Sequence, residues 1–372
     1  MARLRPLRQL TNKSFVLAIA LILLLWNEAF NLFLTSAFWN VLHDGSIRKG
    51  EQRATRVLLV ADPQLIGYRN EPPFVGPIAR WDADRYLHRG FYYALLHGQP
   101  DLIVFLGDLF DEGVEENEEE FEWTISRFEK IFRSQKSIQR VYIPGDNDIG
   151  GEGERVLQGH AERFRMRFPD AVSMVALGLE GIGMSEINVF NGEMRNITKR
   201  RDGAIDQLMI MLSHAPVVRS FGMSAKLAVE KGADLILSAH DHTAEVYVRP
   251  RTGSSASSFD RMSIEDRETT SALIGKRQAV VEIQSPTCSY RMGVPSMGYG
   301  LLTIHPEQSV GGEMEARIRY AVLWLPGRYP ALFSYAFVGA WMALLVLKGV
   351  LKAVLRGVVV ARRNAAKQDN IV

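Results

Sequence analysis

A chain of 372 residues is long enough for one large domain or two small ones. Its 47% apolar and 23% charged residues are an ordinary globular balance, and a formal charge of +2 gives no ground for nucleic-acid binding. Cys288 is the one cysteine, which excludes an internal disulfide and a cysteine-built zinc site without excluding a secretory compartment.

Arg3, Arg5, Arg8 and Lys13 precede an apolar run at 15–26 that continues past Asn27, Glu28 and Asn31 to Phe38 and Trp39. Two readings fit a basic start before an apolar run. A signal peptide would use Thr35-Ser36-Ala37 as its small-residue cleavage site, and a signal anchor would span residues 14–39. The anchor is favoured, because the apolar character carries past the usual length of a signal core.

The body then runs from about residue 42 to 326. Val57-Leu58-Leu59-Val60 reads as a buried strand ending in Ala61-Asp62-Pro63-Gln64. An Asp there either opens a turn or points into a cleft beyond the sheet. Pro72, Pro73, Gly76 and Pro77 mark a loop, residues 82–97 a helix, and Leu102 to Leu106 a second buried strand leading to Gly107-Asp108-Leu109-Phe110-Asp111. The acidic run 115–122 opens a helix that ends near Arg133, and reads as a solvated face rather than a calcium loop.

A third strand at 140–143 delivers Pro144-Gly145-Asp146-Asn147-Asp148-Ile149-Gly150. Another at 208–212 delivers Ser213-His214, and Leu235-Ile236-Leu237, after a short helix, delivers Ala239-His240-Asp241-His242. A lone histidine after a strand is usually bland. Three at the same kind of strand-to-loop junction are not, and the spacing of His240 and His242 can place two imidazoles on neighbouring metal ions.

Residues 251–276 read as a mobile surface insertion, 279–283 and 300–304 as strands with a glycine-flexed turn at 297–300, and 317–325 as a final strand. Asn196-Ile197-Thr198 is a glycosylation sequon. The uncharged apolar stretch 329–347 carries interfacial Tyr329, Tyr335 and Trp341 and is followed by Lys348, Lys352, Arg356, Arg362, Arg363 and Lys367. It reads as a second membrane helix. Basic flanks outside both spans place residues 1–13 and 348–372 in the cytosol and the body in the lumen.

Taken together, Asp-x-Gln, Gly-Asp-x-x-Asp, Gly-Asp-Asn-Asp, His and Ala-His-x-His stand at strand ends in that order. The set resembles the calcineurin-like metallophosphoesterases over about residues 57–304. The resemblance implies an α/β fold, a two-sheet sandwich flanked by helices with two divalent metal ions at the strand-end loops, flanked here by one N-terminal and one C-terminal transmembrane helix. Carried over residue by residue, Asp62, Asp108, Asp146, His214, His240 and His242 stand at metal-ligand positions, with Asp108 as the bridge. Gln64 replaces a ligating His and is a weak ligand or none. Asn147 stands where the family has its catalytic, phosphate-contacting His, and an amide has no proton to transfer. Asp111 and Asp148 are second-row orienting groups or loop structure alone. An alternative register makes Asn147 the ligand and Asp146 a spacer.

The layout is most similar to the metallophosphoesterase 1 family and its fungal relatives, on Ala61 to Leu65, Pro144-Gly145 before Asp148-Ile149-Gly150, and Pro295 to Gly300. That implies a phosphodiesterase of the endoplasmic reticulum, ER–Golgi intermediate or cis-Golgi membrane that removes ethanolamine phosphate from glycosylphosphatidylinositol anchors. The implied partners are a membrane-embedded lipid-glycan, the bilayer and cargo or transport-receptor proteins. Three ligating aspartates against two divalent ions leave one net positive charge, and oxygen-rich ligation favours manganese. Two other readings stay open: a phosphomonoesterase of the same fold, and a metal-binding scaffold or cargo adaptor with weak catalysis.

Overall fold

The structure is a computed structural model that describes residues 12–39, 54–169, 172–198, 208–218, 231–250, 260–262, 269–275, 278–308 and 313–368. The backbone divides into two compact units, residues 33–326 and residues 1–32 with 327–372.

In the larger unit, β1 (Thr55–Val60) pairs with β2 (Leu102–Phe105), and β2 with β3 (Gln139–Tyr142), all parallel. β4 (Ile182–Ile187), β5 (Met194–Asn196), β6 (Leu208–Leu212) and β7 (Leu235–Ser238) form another group, in which β4, β6 and β7 are parallel. Strands paired on both edges and covered on both faces are mostly apolar, which is why Val57–Val60 of β1, all of β2 and Leu235–Leu237 of β7 read as unbroken apolar runs. β8 (Glu245–Pro250), β9 (Asp260–Met262), β10 (Thr270–Gly275), β11 (Ala279–Gln284), β12 (Met297–Gln308) and β13 (Met314–Leu325) complete the strands among the described residues.

The two-sheet sandwich expected from the resemblance is a single curled ladder here. Its order is β3-β2-β1-β12-β13-β10-β11-β7-β6-β4-β5, with β8 on β11 and β9 on β8. The join is β13. Its whole length pairs with β12, while Glu315 to Tyr320 also pair with β10. The two halves still face one core, in which Leu59 and Val104 from one meet Ile210, Leu237 and Ile283 from the other.

Two sequence expectations change for the same reason. Residues 251–276 contain β9 and β10, so part of the expected insertion is the sheet's own link; 251–259, 263–268 and 276 lie outside the described residues. Residues 297–300 are the start of β12 rather than a turn. Gly300 is there because a Cβ would stand 2.9 Å from the Tyr320 ring and 3.0 Å from Leu59, so only glycine lets β12 lie between β1 and β13. The short helix expected before Leu235 lies outside the described residues.

Helices α1 (Asn12–Leu25) and α2 (Asn31–Ala37) are joined by a π turn at Trp26–Phe30. α3 (Gly76–Gly98), α4 (Glu118–Ile131), α5 (Asp146–Ile149) and α6 (Gln158–Arg167) follow, and α7 (Tyr329–Gln368) closes the chain. In α4, Phe121, Thr124, Ile125, Phe128 and Ile131 form one buried stripe at helical spacing. Its acidic start is a capping box, with Asn117 and Glu120 each accepting the other's backbone N–H at 3.0 Å. Phe128 meets Phe105, Phe132 and Phe168 at ring distances of 5.3, 4.9 and 5.6 Å, which ties α4 to the sheet.

Among the described residues, Ser14–Ala37 is the one helical segment long and apolar enough to cross a membrane, with mean hydropathy 2.0. The expected C-terminal span is not set apart in the fold, because α7 runs on without a break through Lys348, Lys352 and Arg356 for 40 residues.

Phe128 is 1% exposed, so Phe128→Ala leaves a cavity and should destabilise the body by about 3–5 kcal/mol. Met166→Ala, at a 78% exposed site on α6, should change stability by less than about 0.5 kcal/mol. Paired unfolding curves check this, and equal midpoints for the two variants would contradict the packing described.

Candidate metal centre

The loops that follow β1, β2, β3, β6 and β7 meet at one edge of the curled sheet. Asp62, Gln64, Asp108, His240 and His242 all have left-handed backbone, with φ of 46, 39, 50, 70 and 62°. Side chains other than glycine rarely take this conformation, and its concentration here marks loops bent to aim particular groups.

Asp108 is the hub. Its Oδ1 accepts the Asn147 backbone N–H at 3.0 Å and lies 3.4 Å from His214 Nε2. Its Oδ2 accepts the amides of Asn147 and Gln64, each at 3.0 Å. On one side, Asp146 Oδ1 stands 3.1 Å from both His214 Nε2 and His240 Nδ1. Asp108, Asp146, His214 and His240 thereby bring one ligand atom each within 4.8 Å of one another, a group able to hold a metal ion. On the other side, His242 Nε2 is 3.4 Å from the Gln64 amide and 3.9 Å from Asp62 Oδ1.

Each ligand candidate is held from behind. His214 donates its Nδ1–H to the Leu106 carbonyl at 2.8 Å, which leaves Nε2 to face the cluster. Asp62 Oδ2 accepts the His240 N–H at 3.3 Å, and Thr287 donates to the Asp62 carbonyl at 2.7 Å. Asp148 accepts the backbone N–H groups of Gly145, Leu109 and Phe110 at 2.8, 3.2 and 3.1 Å, and so ties the loops of Asp108 and Asp146 together. Gly145 is where these loops touch, and a Cβ there would stand 2.1 Å from Asp108 Oδ1.

The electrostatics fit cations. Burial, offset by His214 and reinforced by Asp108, pushes the Asp62 carboxyl up to about 7. Burial likewise raises Asp108. Burial opposes ionisation of Asp146 too, but its hydrogen bonds with His214 and His240 prevail and hold it below the carboxylate range. Against burial, the carboxylates of Asp108 and Asp146 raise His214. Protons thus balance the clustered carboxylates in the protein alone, a task divalent ions can take over. Among the described residues, Asp62 Oδ1 is buried without a hydrogen-bond partner, which is costly unless a cation meets it.

Asp62, Asp108, Asp146, His214, His240 and His242 therefore lie around one cleft, with Asp146 rather than Asn147 against the histidines. Gln64 turns its amide nitrogen, which has no lone pair to give, toward the cluster. Asn147 gives its backbone N–H and one N–H of its side-chain amide to Asp108. Asp111 sits apart: burial pushes it up to about 6 against the pull of Arg291, and among the described residues its carboxylate bonds none of the cluster. Two groups escaped the sequence reading. Thr287 carries no motif. Glu152, 65% exposed and 3.9 Å from His240 Nε2, was signalled only as a carboxylate between glycines just after Asp148-Ile149-Gly150.

The family of calcineurin-like phosphoesterases matches residues 55–244, just over half of the chain. Cell division control protein 1 of Saccharomyces cerevisiae is 26% identical, over 75% of this chain and 62% of that protein. Metallophosphoesterase 1 of Rattus norvegicus is 22% identical, over 58% and 60%. The Drosophila melanogaster homolog of Metallophosphoesterase 1 is 30% identical over 26% of this chain and 25% of its own length. The aligned part spans under two thirds of the length of the curated relatives the chain matches.

Gly145→Ala alters no ligand atom, yet the clash with Asp108 should lower divalent-metal affinity by about 10–100-fold, as loss of a supporting group does. Asp108→Asn should lower it at least as much. Metal titration on folded variants, monitored by thermal melting, checks both; wild-type affinity in Gly145→Ala would refute the close approach.

Proposed function

The chain belongs to the calcineurin-like phosphoesterase family, and from that premise we propose that it is a membrane-anchored, two-metal phosphodiesterase of the early secretory pathway. Its substrate in this reading is a glycosylphosphatidylinositol anchor, from which it removes ethanolamine phosphate, aiding transport of anchored proteins from endoplasmic reticulum to Golgi. The observation that carries the chemistry is Asp108, which offers Oδ1 toward His214 and Asp146 and Oδ2 toward Gln64 and His242.

Two divalent ions, when bound, supply positive charge for the phosphoryl oxygens and an activated water. Asp62 and His242 would hold one, Asp146, His214 and His240 the other, and Asp108 both. Three carboxylates make the donor set oxygen-rich, which favours manganese. Asn147 fixes Asp108 and donates no proton, so the proton for the leaving oxygen comes from water or from Glu152. The engagement of Asn147 with Asp108 also favours a second reading, a metal-binding scaffold of low activity.

Likeness to proteins named Metallophosphoesterase 1 supports the choice of substrate. The smaller unit supports the membrane. There Arg328 and Tyr335 donate to Glu28 at 2.8 and 2.6 Å, and Asn27 to Ser334 at 3.0 Å. Polar groups on apolar helices pair with one another when they leave water. Cleavage after Ala37 would strip Arg328 of Glu28, so the pairing supports a retained anchor. The exposed apolar side chains of Phe333, Phe337, Leu344, Val346 and Leu347 support reading the first half of α7 as a second span. Protease treatment of sealed microsomes should clip both tails and spare the body; digestion of the body would overturn the lumenal placement.

Purified full chain with manganese should hydrolyse bis-p-nitrophenyl phosphate and release ethanolamine phosphate from an anchor glycan. Asn147→His should restore a proton donor and raise turnover about tenfold or more for esters with basic leaving groups, with little change for p-nitrophenolate. No activity in either protein with metal bound would favour the scaffold.

A further inference from the structure

α3 carries a ridge that the catalytic reading does not use. Phe74 and Val75 stand just before its first turn, Ile78 and Trp81 lie on one face of its first two turns, and Phe74, Ile78 and Trp81 are 92, 66 and 60% exposed. Tyr92 and Leu96 are exposed on the same side about three and four turns beyond Trp81. Isolated exposed apolar side chains are ordinary, but a contiguous row at helical spacing marks a surface that meets something.

We infer that this ridge is a lipid-binding face that seats the catalytic body on the bilayer surface. Three observations point to lipid. The first is the mixture of groups, since aromatics and aliphatics interleaved with arginines suit an interfacial helix. Arg85 lies over the Trp81 ring at 5.5 Å, and Arg80 over Tyr68 and Trp123, each at 5.7 Å. The acids of the same turns are turned to the body: Asp84 accepts two bonds from Arg127 at 2.6 and 2.9 Å, and the buried Asp82 accepts the Tyr290 hydroxyl at 2.9 Å. What remains outward is apolar and cationic, complementary to anionic headgroups over acyl chains. A second copy docked face to face would bring like arginines together.

The second observation is where the chain leaves the body. Trp39, on the way from the N-terminal helix, meets His97 of α3 edge-on at 5.8 Å. Pro326, the last residue before the chain passes toward α7, accepts the Tyr86 hydroxyl of α3 at 3.0 Å. Both exits lie on α3. The third is the distance to the chemistry. Arg80 donates to the Gly67 carbonyl at 3.1 Å, and the three residues from there back to Gln64 span at most about 11 Å. A phosphoester headgroup standing at the bilayer surface would be within reach of the metal cleft.

The inference rests on the membrane reading above but is tested apart from the activity. Cys288 is fully buried, so a fluorophore can be placed selectively on full-length Ile78→Cys, and on Arg317→Cys as a control. Arg317 lies about 27 Å along β13 from Leu325. In single-chain nanodiscs of phosphatidylcholine with phosphatidylserine, nitroxide on the acyl chains should quench the Ile78 label several-fold more than the control. Equal quenching would overturn the proposal. Equal shielding of the Ile78 label from aqueous iodide in lipid-free detergent would also overturn it, in favour of a protein partner or second copy. Phe74→Ser with Trp81→Ser should cut hydrolysis of a bilayer-held phosphodiester about tenfold and leave the soluble p-nitrophenyl ester within about twofold, since only the first depends on interfacial binding. Wild-type inactivity on both esters would sink the phosphodiesterase reading, and the quenching ratio would still decide the ridge.

Discussion

Asp108 has to be buried, charged and reached from several loops at once, and much of the surrounding structure answers to that requirement. Both its oxygens accept hydrogen bonds, from Asn147 twice and from Gln64 once. Gly145 must lack a side chain for the neighbouring loop to come close enough, and Asp148 pins that loop with three backbone amides. Left-handed backbone costs about 1–2 kcal/mol per non-glycine residue, and here it recurs at five residues of one site. Such strain persists only where packing leaves no alternative, and the buried strands on either side supply that packing.

The loops can converge because one pair of long strands carries the two halves of the sheet together. β13 bonds β12 along its full length and β10 along part of it, so the ladder turns without an open seam. A curled continuous sheet brings the carboxyl ends of β1, β2 and β3 opposite those of β6 and β7. Carboxylates then come mainly from one half and imidazoles from the other. The site exists only while both halves keep their register.

The departures from the family pattern share a physical theme, which is more negative charge and less proton-transfer capacity. Asp146 adds a carboxylate where the resemblance expects a neutral amide. Gln64 and Asn147 replace imidazoles with amides that here stabilise Asp108. In the proposed reading such a site would hold cations through its extra carboxylate and would leave leaving-group protonation to a group outside the motif, for which Glu152, 3.9 Å from His240 Nε2, is the proposal.

The strands that end in chemistry are legible from local residue order alone. Apolar runs at 57–60, 102–106, 208–212 and 235–237 each stop at a carboxylate or imidazole, and local patterning of that kind needs no tertiary information. The apolar N-terminal run was legible in the same way, because composition and length set it. What the linear order could not decide was contact between distant segments. Gly298 and Gly300 look like a turn until β1 and β13 are packed against them, and residues 270–275 look like insertion until they pair with β13. Whether Asp146 or Asn147 faces the histidines depends on the direction of a single turn, which Asp148 and Gly145 set through residues some forty positions away. Thr287 and the ridge on α3 became visible only with folding, since each depends on which surfaces the rest of the chain covers.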